Sequence, residues 1–151
     1  MKILLQRVDE ARVIVDGTVT GQIGPGILIF LGVSRFDTVQ DAEYLLGRVL
    51  GLRIFPDEEH RMNLNVQQAG GSLLIVSQFT LYSDCRRGHR PSFDQAAPPE
   101  QAQNLYNYFV ESAQRGPVPV QSGIFQASMQ VYLINNGPVT ILLDSADRSR
   151  K

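Results

Sequence analysis

Several features that identify specialised classes of protein are missing from this sequence. Its 151 residues include a single cysteine, Cys85, which excludes an intramolecular disulfide and favours a reducing compartment. The amino-terminal segment has no apolar stretch long enough for the core of a signal peptide. The longest apolar run, Ile27 to Leu31, is too short to span a membrane. We therefore expect a cytoplasmic protein with no membrane partner.

An excess of charge of one sign is also missing. The formal net charge is −1 at pH 7, which excludes a globally basic nucleic-acid-binding protein. We expect no DNA partner, and any contact with RNA must use a local basic patch.

The side chains that usually carry catalysis are scarce. His60 lies in an acidic stretch and His89 in a basic one, and neither belongs to a recognisable catalytic triad. No paired cysteine or histidine spacing indicates a metal site, and no glycine-rich motif indicates a bound nucleotide cofactor. We expect neither a metal nor a cofactor.

The length predicts one domain, residues 1–151, and the first third is rich in strand-forming residues. Asp16-Gly17 between two such segments predicts a hairpin with a type I′ turn. The apolar run from Ile27 to Val33 predicts a strand that is buried on both faces.

Two segments have the apolar spacing of amphipathic helices. The first runs from Ala42 to Leu50 with Thr38 and Asp41 placed to cap it, and the second begins at Pro98-Pro99 and ends at Gly116-Pro117. The other predicted elements are a short strand at Leu52–Phe55, a central strand at Leu73–Val76, two strands at about Ser128–Ile134 and Val139–Asp144, and a solvated end at Asp147–Lys151. Three strands before the first helix favour an α/β fold with a mixed, largely antiparallel, twisted and partly barrel-like sheet, on which two helices pack.

A turn signal separates the last two predicted strands. Asn136-Gly137 between apolar runs is typical of a tight hairpin. Pro138 has no backbone N–H to donate, and it biases Gly137 towards extended geometry or a cis bond. From the residues alone an ordinary hairpin with an edge proline is the simpler interpretation, and a functional loop remains the alternative.

Polar and basic residues follow the predicted central strand. Ser77-Gln78-Phe79-Thr80-Leu81 brings hydroxyls, an amide and backbone N–H groups to one rim, or simply ends the strand. Arg86, Arg87 and Arg90 lie within five residues, where they could hold the oxygens of a phosphate or point outward into solvent.

Two of these motifs are specific enough to indicate a family. Ser77-Gln78-Phe79-Thr80 and Asn135-Asn136-Gly137-Pro138-Val139-Thr140 resemble the Ser-Gln-Phe-Thr and Asn-x-Gly-Pro-Val-Thr signatures of D-aminoacyl-tRNA deacylases of the bacterial and eukaryotic type. The resemblance runs over the full length, and Gln6-Arg7-Val8, Arg90-Pro91-Ser92-Phe93 and Gly123-x-Phe125 also fit. One stretch departs: Phe125-Gln126-Ala127-Ser128-Met129 stands where the family commonly has Phe-Gly-Ala-Asp-Met.

The resemblance implies a homodimer that hydrolyses D-aminoacyl-tRNA at its 3′ end without a cofactor. It implies that Gly137 and Pro138, joined by a cis peptide bond, enter the partner's pocket and reject L-amino acids. Arg7 would hold this loop, and Met129 would line the pocket. The catalytic strand end would consist of Ser77, Gln78, Phe79 and Thr80. Two mechanisms are then possible. In the first, Thr80 is a nucleophile. In the second, backbone groups and the 2′-hydroxyl of the tRNA carry out catalysis, and Thr80 has no direct role. The absence of a base near Thr80 in the sequence favours the second mechanism.

Three other functions remain open from the residues. They are a related deacylase for another mischarged tRNA, a non-catalytic RNA-binding module that uses its arginines, and a dimeric structural protein.

Overall fold

A computed structural model describes residues 1–149, which form a six-stranded mixed sheet, a two-stranded ribbon and two α-helices. The strands are β1 (Lys2–Val15), β2 (Thr18–Ile23), β3 (Gly26–Gly32), β4 (Phe55–Pro56), β5 (Met62–Leu64), β6 (Ser72–Ser77), β7 (Val120–Ser122) and β8 (Gln130–Asp144). The helices are α1 (Val39–Gly51) and α2 (Pro99–Gln114), and 3-10 turns cover Phe79–Tyr82 and Ser145–Ser149. In this part of the chain neither helix is long and apolar enough to cross a membrane.

The long strand β1 organises the sheet. One of its edges pairs antiparallel with β3 and β2 in turn, and the other pairs antiparallel with β8 over nearly its whole length. Strand β6 runs parallel to β3, and β7 runs parallel to β6. The predicted mixed, largely antiparallel sheet is confirmed. The strand predicted to be buried on both faces is β3, and the predicted central strand is β6, which lies between β3 and β7.

The local signals for the first hairpin and for both helices are confirmed. Asp16 and Gly17 have φ angles of 48° and 78°, as a type I′ turn requires. Helix α1 begins after Thr38, whose N–H donates to the Asp41 carboxylate at 2.8 Å. Helix α2 begins at Pro99. Each helix buries its apolar face against the sheet.

The prediction of a hairpin at Asn136-Gly137 is wrong, because β8 is one strand that never reverses. Val131 pairs with Val13 and Thr140 pairs with Gln6, so both halves of β8 run antiparallel to β1. Residues 136–139 bulge out of this ladder opposite Arg7 alone. The uninterrupted edge of β1 therefore decides the path of the chain, and the local turn signal makes only a bulge.

Two smaller boundaries also differ from the sequence prediction. The short strand predicted at Leu52–Phe55 begins only at Phe55, because Leu52 forms the end of α1 and donates its N–H to the last turn. The predicted solvated end is partly ordered as the 3-10 turn Ser145–Ser149, and the last two residues of that prediction lie outside the described part of the chain.

The amino terminus is tied into the core. Met1 is 2% exposed, and its ammonium group lies 2.5 Å from Asp37 Oδ1 and 2.7 Å from Ser145 Oγ. The other carboxylate oxygen of Asp37 accepts the N–H of Ser34 at 2.6 Å. The start of β1 therefore fixes the turn between β3 and α1.

Candidate active site

A cavity of about 940 Å³ opens where β3 and β6 end. Its walls are mostly apolar and come from the ends of these strands, the start of α2 and the loop between β7 and β8; they include Leu31, Val33, Val76, Ala97, Ala102, Tyr106, Phe125 and Val131. Arg35 is the single charged residue among the described lining residues, which contain no Asp, Glu, His, Lys or Cys. The cavity can enclose a small organic group, but it offers no conventional general base.

The end of β6 forms the polar rim that the sequence predicted. Ser77, Gln78 and Phe79 line the cavity. The N–H of Gln78 donates to the carbonyl of Leu31 at 2.8 Å, which holds the rim against β3. Thr80 does not line the cavity, and its hydroxyl accepts a hydrogen bond from the Gln78 amide.

The Phe79–Tyr82 turn leaves donors at its start. The N–H groups of Phe79 and Thr80 have no acceptor within the turn, because they precede its first intrahelical bond. The ring of Phe79 is 57% exposed and lies edge-on to Phe93, with 4.9 Å between ring centroids. Within residues 1–149 these two N–H groups have no acceptor, so the turn beside the cavity mouth combines free backbone donors with an aromatic pair.

The bulge in β8 presents Gly137 and Pro138 to solvent, and the peptide bond between them is cis, as predicted. Buried Arg7 holds the base of the bulge: its Nε donates to the Asn136 carbonyl at 3.0 Å and its Nη2 donates to Asn136 Oδ1 at 3.2 Å. Asn135 closes the bulge from within, because its side-chain oxygen accepts the N–H of Val139 at 2.9 Å. Neither Gly137 nor Pro138 lines the cavity of its own chain.

The arginine-rich stretch is a closed loop beside the cavity mouth. Asp84 and Ser92 exchange backbone hydrogen bonds of 2.7 and 3.0 Å at its neck. Arg86 is already paired, because its guanidinium donates to both carboxylate oxygens of Asp84, and these hydrogen bonds lower the pKa of Asp84 to about 2. Arg87 and Arg90 are exposed, and within residues 1–149 they make no ion pair. The loop therefore leaves two guanidinium groups available to an anion.

The loop between β7 and β8 forms the opposite wall. Met129 is half-buried and lines the cavity. Gln126, where this chain departs from the family pattern, also lines it and has a left-handed backbone with a φ of 63°. Behind this wall, the hydroxyl of Tyr106 donates to the carbonyl of Ile75 at 2.9 Å, and burial raises the pKa of Tyr106 to about 12.

The family model for D-Tyr-tRNA(Tyr) deacylase matches residues 4–144. The chain belongs to this family. It is 57% identical to the D-aminoacyl-tRNA deacylase of Solibacter usitatus over 100% of both chains. It is 56% identical to the D-aminoacyl-tRNA deacylase of Symbiobacterium thermophilum over 96% of each chain.

Solved structures have the same fold as this deacylase. The c-Myc DNA Unwinding Element Binding Protein matches with a TM-score of 0.90 and 40% identity, over 95% of this chain and 98% of that one. A probable eukaryotic D-amino acid tRNA deacylase matches with a TM-score of 0.78 and 18% identity, over 94% of this chain and 97% of that one, which shows a shared fold. The family resemblance, the fold class and the assignment as a hydrolase are confirmed.

The structure groups only some of the residues to which the deacylase resemblance gave roles. Ser77, Gln78, Phe79 and Met129 share the cavity, whereas Thr80, Arg7, Gly137, Pro138 and the three arginines of the loop lie outside its lining. Sequence reasoning missed Arg35, Ala102 and Tyr106 as cavity residues. Ala102 and Tyr106 had the spacing of an ordinary buried helix face, which gives no sign of a ligand.

The two histidines and the cysteine take no part in this cavity. His60, His89 and Cys85 are exposed and do not line it. Among residues 1–149 there is no group of three or more His, Cys, Asp or Glu side chains that could hold a metal ion.

Proposed function

We propose that this protein hydrolyses the ester bond of D-aminoacyl-tRNA in the cytoplasm and releases the free D-amino acid and tRNA. Membership of the deacylase family carries this proposal. The cavity supports it, because a polar strand end lines an apolar chamber without a conventional general base, and the backbone donors of the Phe79–Tyr82 turn lie beside its mouth.

Hydrolysis of this ester requires few catalytic side chains. An aminoacyl ester is more reactive than an amide, and its hydrolysis requires an oriented water and stabilisation of the oxyanion. The N–H groups of Phe79 and Thr80 supply donors for that oxyanion, and Ser77 and Gln78 help to orient the substrate. The neighbouring 2′-hydroxyl of the terminal ribose assists the attacking water, since the cavity lining contains no carboxylate or imidazole to do so.

Chirality is selected across a homodimer in this proposal. The exposed Gly137-Pro138 bulge is held rigidly by Arg7, yet it lies outside the cavity of its own chain, so it is suited to reach the Ser77–Thr80 strand end of a partner. The exposed face of β8 carries Tyr132, Ile134 and Leu142, which are 45%, 52% and 59% exposed and give an apolar surface for such a partner. An L-side chain would meet the bulge, and a D-side chain would point away from it.

The exposed arginines serve the RNA rather than the amino acid. Arg87 and Arg90 meet phosphates of the acceptor end, while Arg86 either exchanges Asp84 for a phosphate or braces the loop. A non-catalytic RNA-binding module would use the same loop, and only a reaction distinguishes it from a deacylase.

The deciding experiment compares three substrates with the purified protein. We expect release of tyrosine from D-tyrosyl-tRNA and no release from L-tyrosyl-tRNA above the uncatalysed rate. Glycyl-tRNA should also be hydrolysed, because glycine has no side chain for the bulge to reject. Binding of all three without hydrolysis would indicate the RNA-binding module, and hydrolysis of the L-substrate alone would indicate a deacylase for another mischarged tRNA.

Replacement of Thr80 with alanine should leave most of the activity. Its hydroxyl lies outside the cavity lining and accepts a hydrogen bond from Gln78, so we expect kcat/KM for D-tyrosyl-tRNA to fall by less than about tenfold, the effect of one neutral hydrogen bond. Thr80→Ser is the matched control, because it retains the hydroxyl. If the alanine variant folds and loses all activity while the serine variant keeps it, Thr80 is the nucleophile.

A further inference from the structure

Gln126 occupies a strained position in the cavity wall. The N–H of Ala127 donates to the carbonyl of Ile124 at 3.2 Å and closes a four-residue turn, in which Gln126 is the third residue with a φ of 63°. Glycine or asparagine normally fills such a position, because other side chains adopt a positive φ only at an energetic cost. A side chain kept in a strained backbone conformation at a cavity wall is a candidate for function.

The Gln126 side chain is also the free carboxamide of the cavity. Three glutamines line the wall. Gln78 donates to the Thr80 hydroxyl, and Gln101 donates to the carbonyl of Arg35 at 3.1 Å. Within residues 1–149 the amide of Gln126 makes no hydrogen bond, so both its donor and its acceptor are available to a ligand.

We propose that Gln126 recognises the terminal adenine base of the tRNA substrate through its carboxamide. The inference rests on the proposed function. A glutamine amide can bind adenine at two points, accepting from the N6 amine and donating to N7. The adenosine is the constant part of the substrate, whereas a site that selects by chirality must leave the amino-acid side chain unread. The apolar walls around Gln126, including Phe125 and Val131, suit the faces of a flat base.

Gln126→Gly should change stability and activity in opposite directions. Glycine relieves the positive φ, so the midpoint of urea unfolding should rise, while loss of the amide should lower kcat/KM for D-tyrosyl-tRNA about tenfold. His60→Gly is the matched control, because His60 has a φ of 61° in an exposed turn outside the cavity. It should raise the midpoint and leave kcat/KM unchanged. Unchanged kcat/KM in Gln126→Gly would overturn the proposal.

A double-mutant cycle assigns the contact to the base. Purine riboside in place of the terminal adenosine removes the N6 amine. It should lower kcat/KM about tenfold in the wild type and have almost no further effect in Gln126→Gly, because the partner of the amine is already gone. Equal penalties in both proteins would overturn the proposal. The proposal would also be overturned if the loss of activity in Gln126→Gly differed between D-tyrosyl-tRNA and D-alanyl-tRNA, since Gln126 would then contact the amino acid.

Binding of an uncharged trinucleotide separates this inference from the proposed function. We expect wild-type protein to bind C-C-A more tightly than C-C-purine riboside, and Gln126→Gly to bind the two equally, as measured by NMR titration. This difference requires no hydrolysis, so it would stand even if the protein deacylated none of the charged tRNAs. Equal affinity of the wild type for the two trinucleotides would contradict the role of Gln126.

Discussion

Replacing Gly137 with alanine is expected to weaken the preference for D-tyrosyl-tRNA over L-tyrosyl-tRNA, measured as the ratio of their kcat/KM values, about a hundredfold, the loss that a shift of about 1 Å in a positioning element can cause. The backbone of Gly137 has a φ of 133°, which residues with an L-side chain rarely adopt. A Cβ there would lie 2.7 Å from Val139 Cγ2 and 3.0 Å from Arg7 Nη2. The bulge must move, and with it the surface that we propose for chiral selection.

Gly17→Ala is the matched control for this prediction. Gly17 also has a positive φ, 78°, but a Cβ there would meet nothing within 4 Å, and the residue lies in the β1–β2 turn. Its replacement should cost about 1 kcal/mol of stability and leave kcat/KM unchanged. Steady-state rates on D- and L-tyrosyl-tRNA, with circular dichroism to verify folding, measure both variants. A Gly137→Ala enzyme with normal rate and normal preference for the D-substrate would disprove the role of the bulge.

Asp37→Asn is expected to reduce the free energy of unfolding by about 3 kcal/mol, because it leaves one partner of a buried ion pair without its counter-charge. The Met1 side chain is fully buried and the Asp37 side chain is 8% exposed, so water replaces the lost carboxylate poorly. Since a domain of this size is stabilised by only about 5–15 kcal/mol, the change should be evident in the urea midpoint.

The test of Asp37 uses protein expressed without residues before Met1, and urea unfolding followed by circular dichroism. Glu59→Gln is the control, because it breaks the exposed Glu59–Arg61 pair, whose side chains are 65% and 77% exposed. That change should alter stability by less than about 1 kcal/mol. An equal, small effect of both substitutions would mean that the buried pair contributes no more than a surface pair.

Several elements could be predicted from the sequence because their signals are local. Asp16-Gly17 supplies the positive φ angles of its turn, and the apolar spacing that follows Thr38 and Pro98 is buried by any sheet on which the helices pack. The polar end of β6 was predictable for the same reason, because Ser77 and Gln78 directly follow its continuous apolar run in the sequence.

The features that the sequence did not predict correctly depend on contacts with residues that are distant in the sequence. Asn136-Gly137 carries a strong hairpin signal, yet β8 continues, because its alignment with β1 satisfies the backbone on both sides of the bulge. The three arginines look equivalent along the chain, but the bidentate contact with Asp84 sets Arg86 apart from Arg87 and Arg90. Tyr106 had the pattern of a core residue, and only the gap between α2 and the strand ends makes it part of a cavity wall.

By itself the sequence determined the fold class, both helices, the first hairpin and, through two specific motifs, the family. The tertiary structure alone decided that Gly137-Pro138 is a bulge in one continuous strand, that Gln126 is an unpaired amide in a cavity, and that the Met1 ammonium pairs with Asp37. The physical reason is that turn, capping and amphipathic signals act within a few residues. A bulge, a cavity wall or a buried ion pair exists only after strands far apart in the sequence have paired.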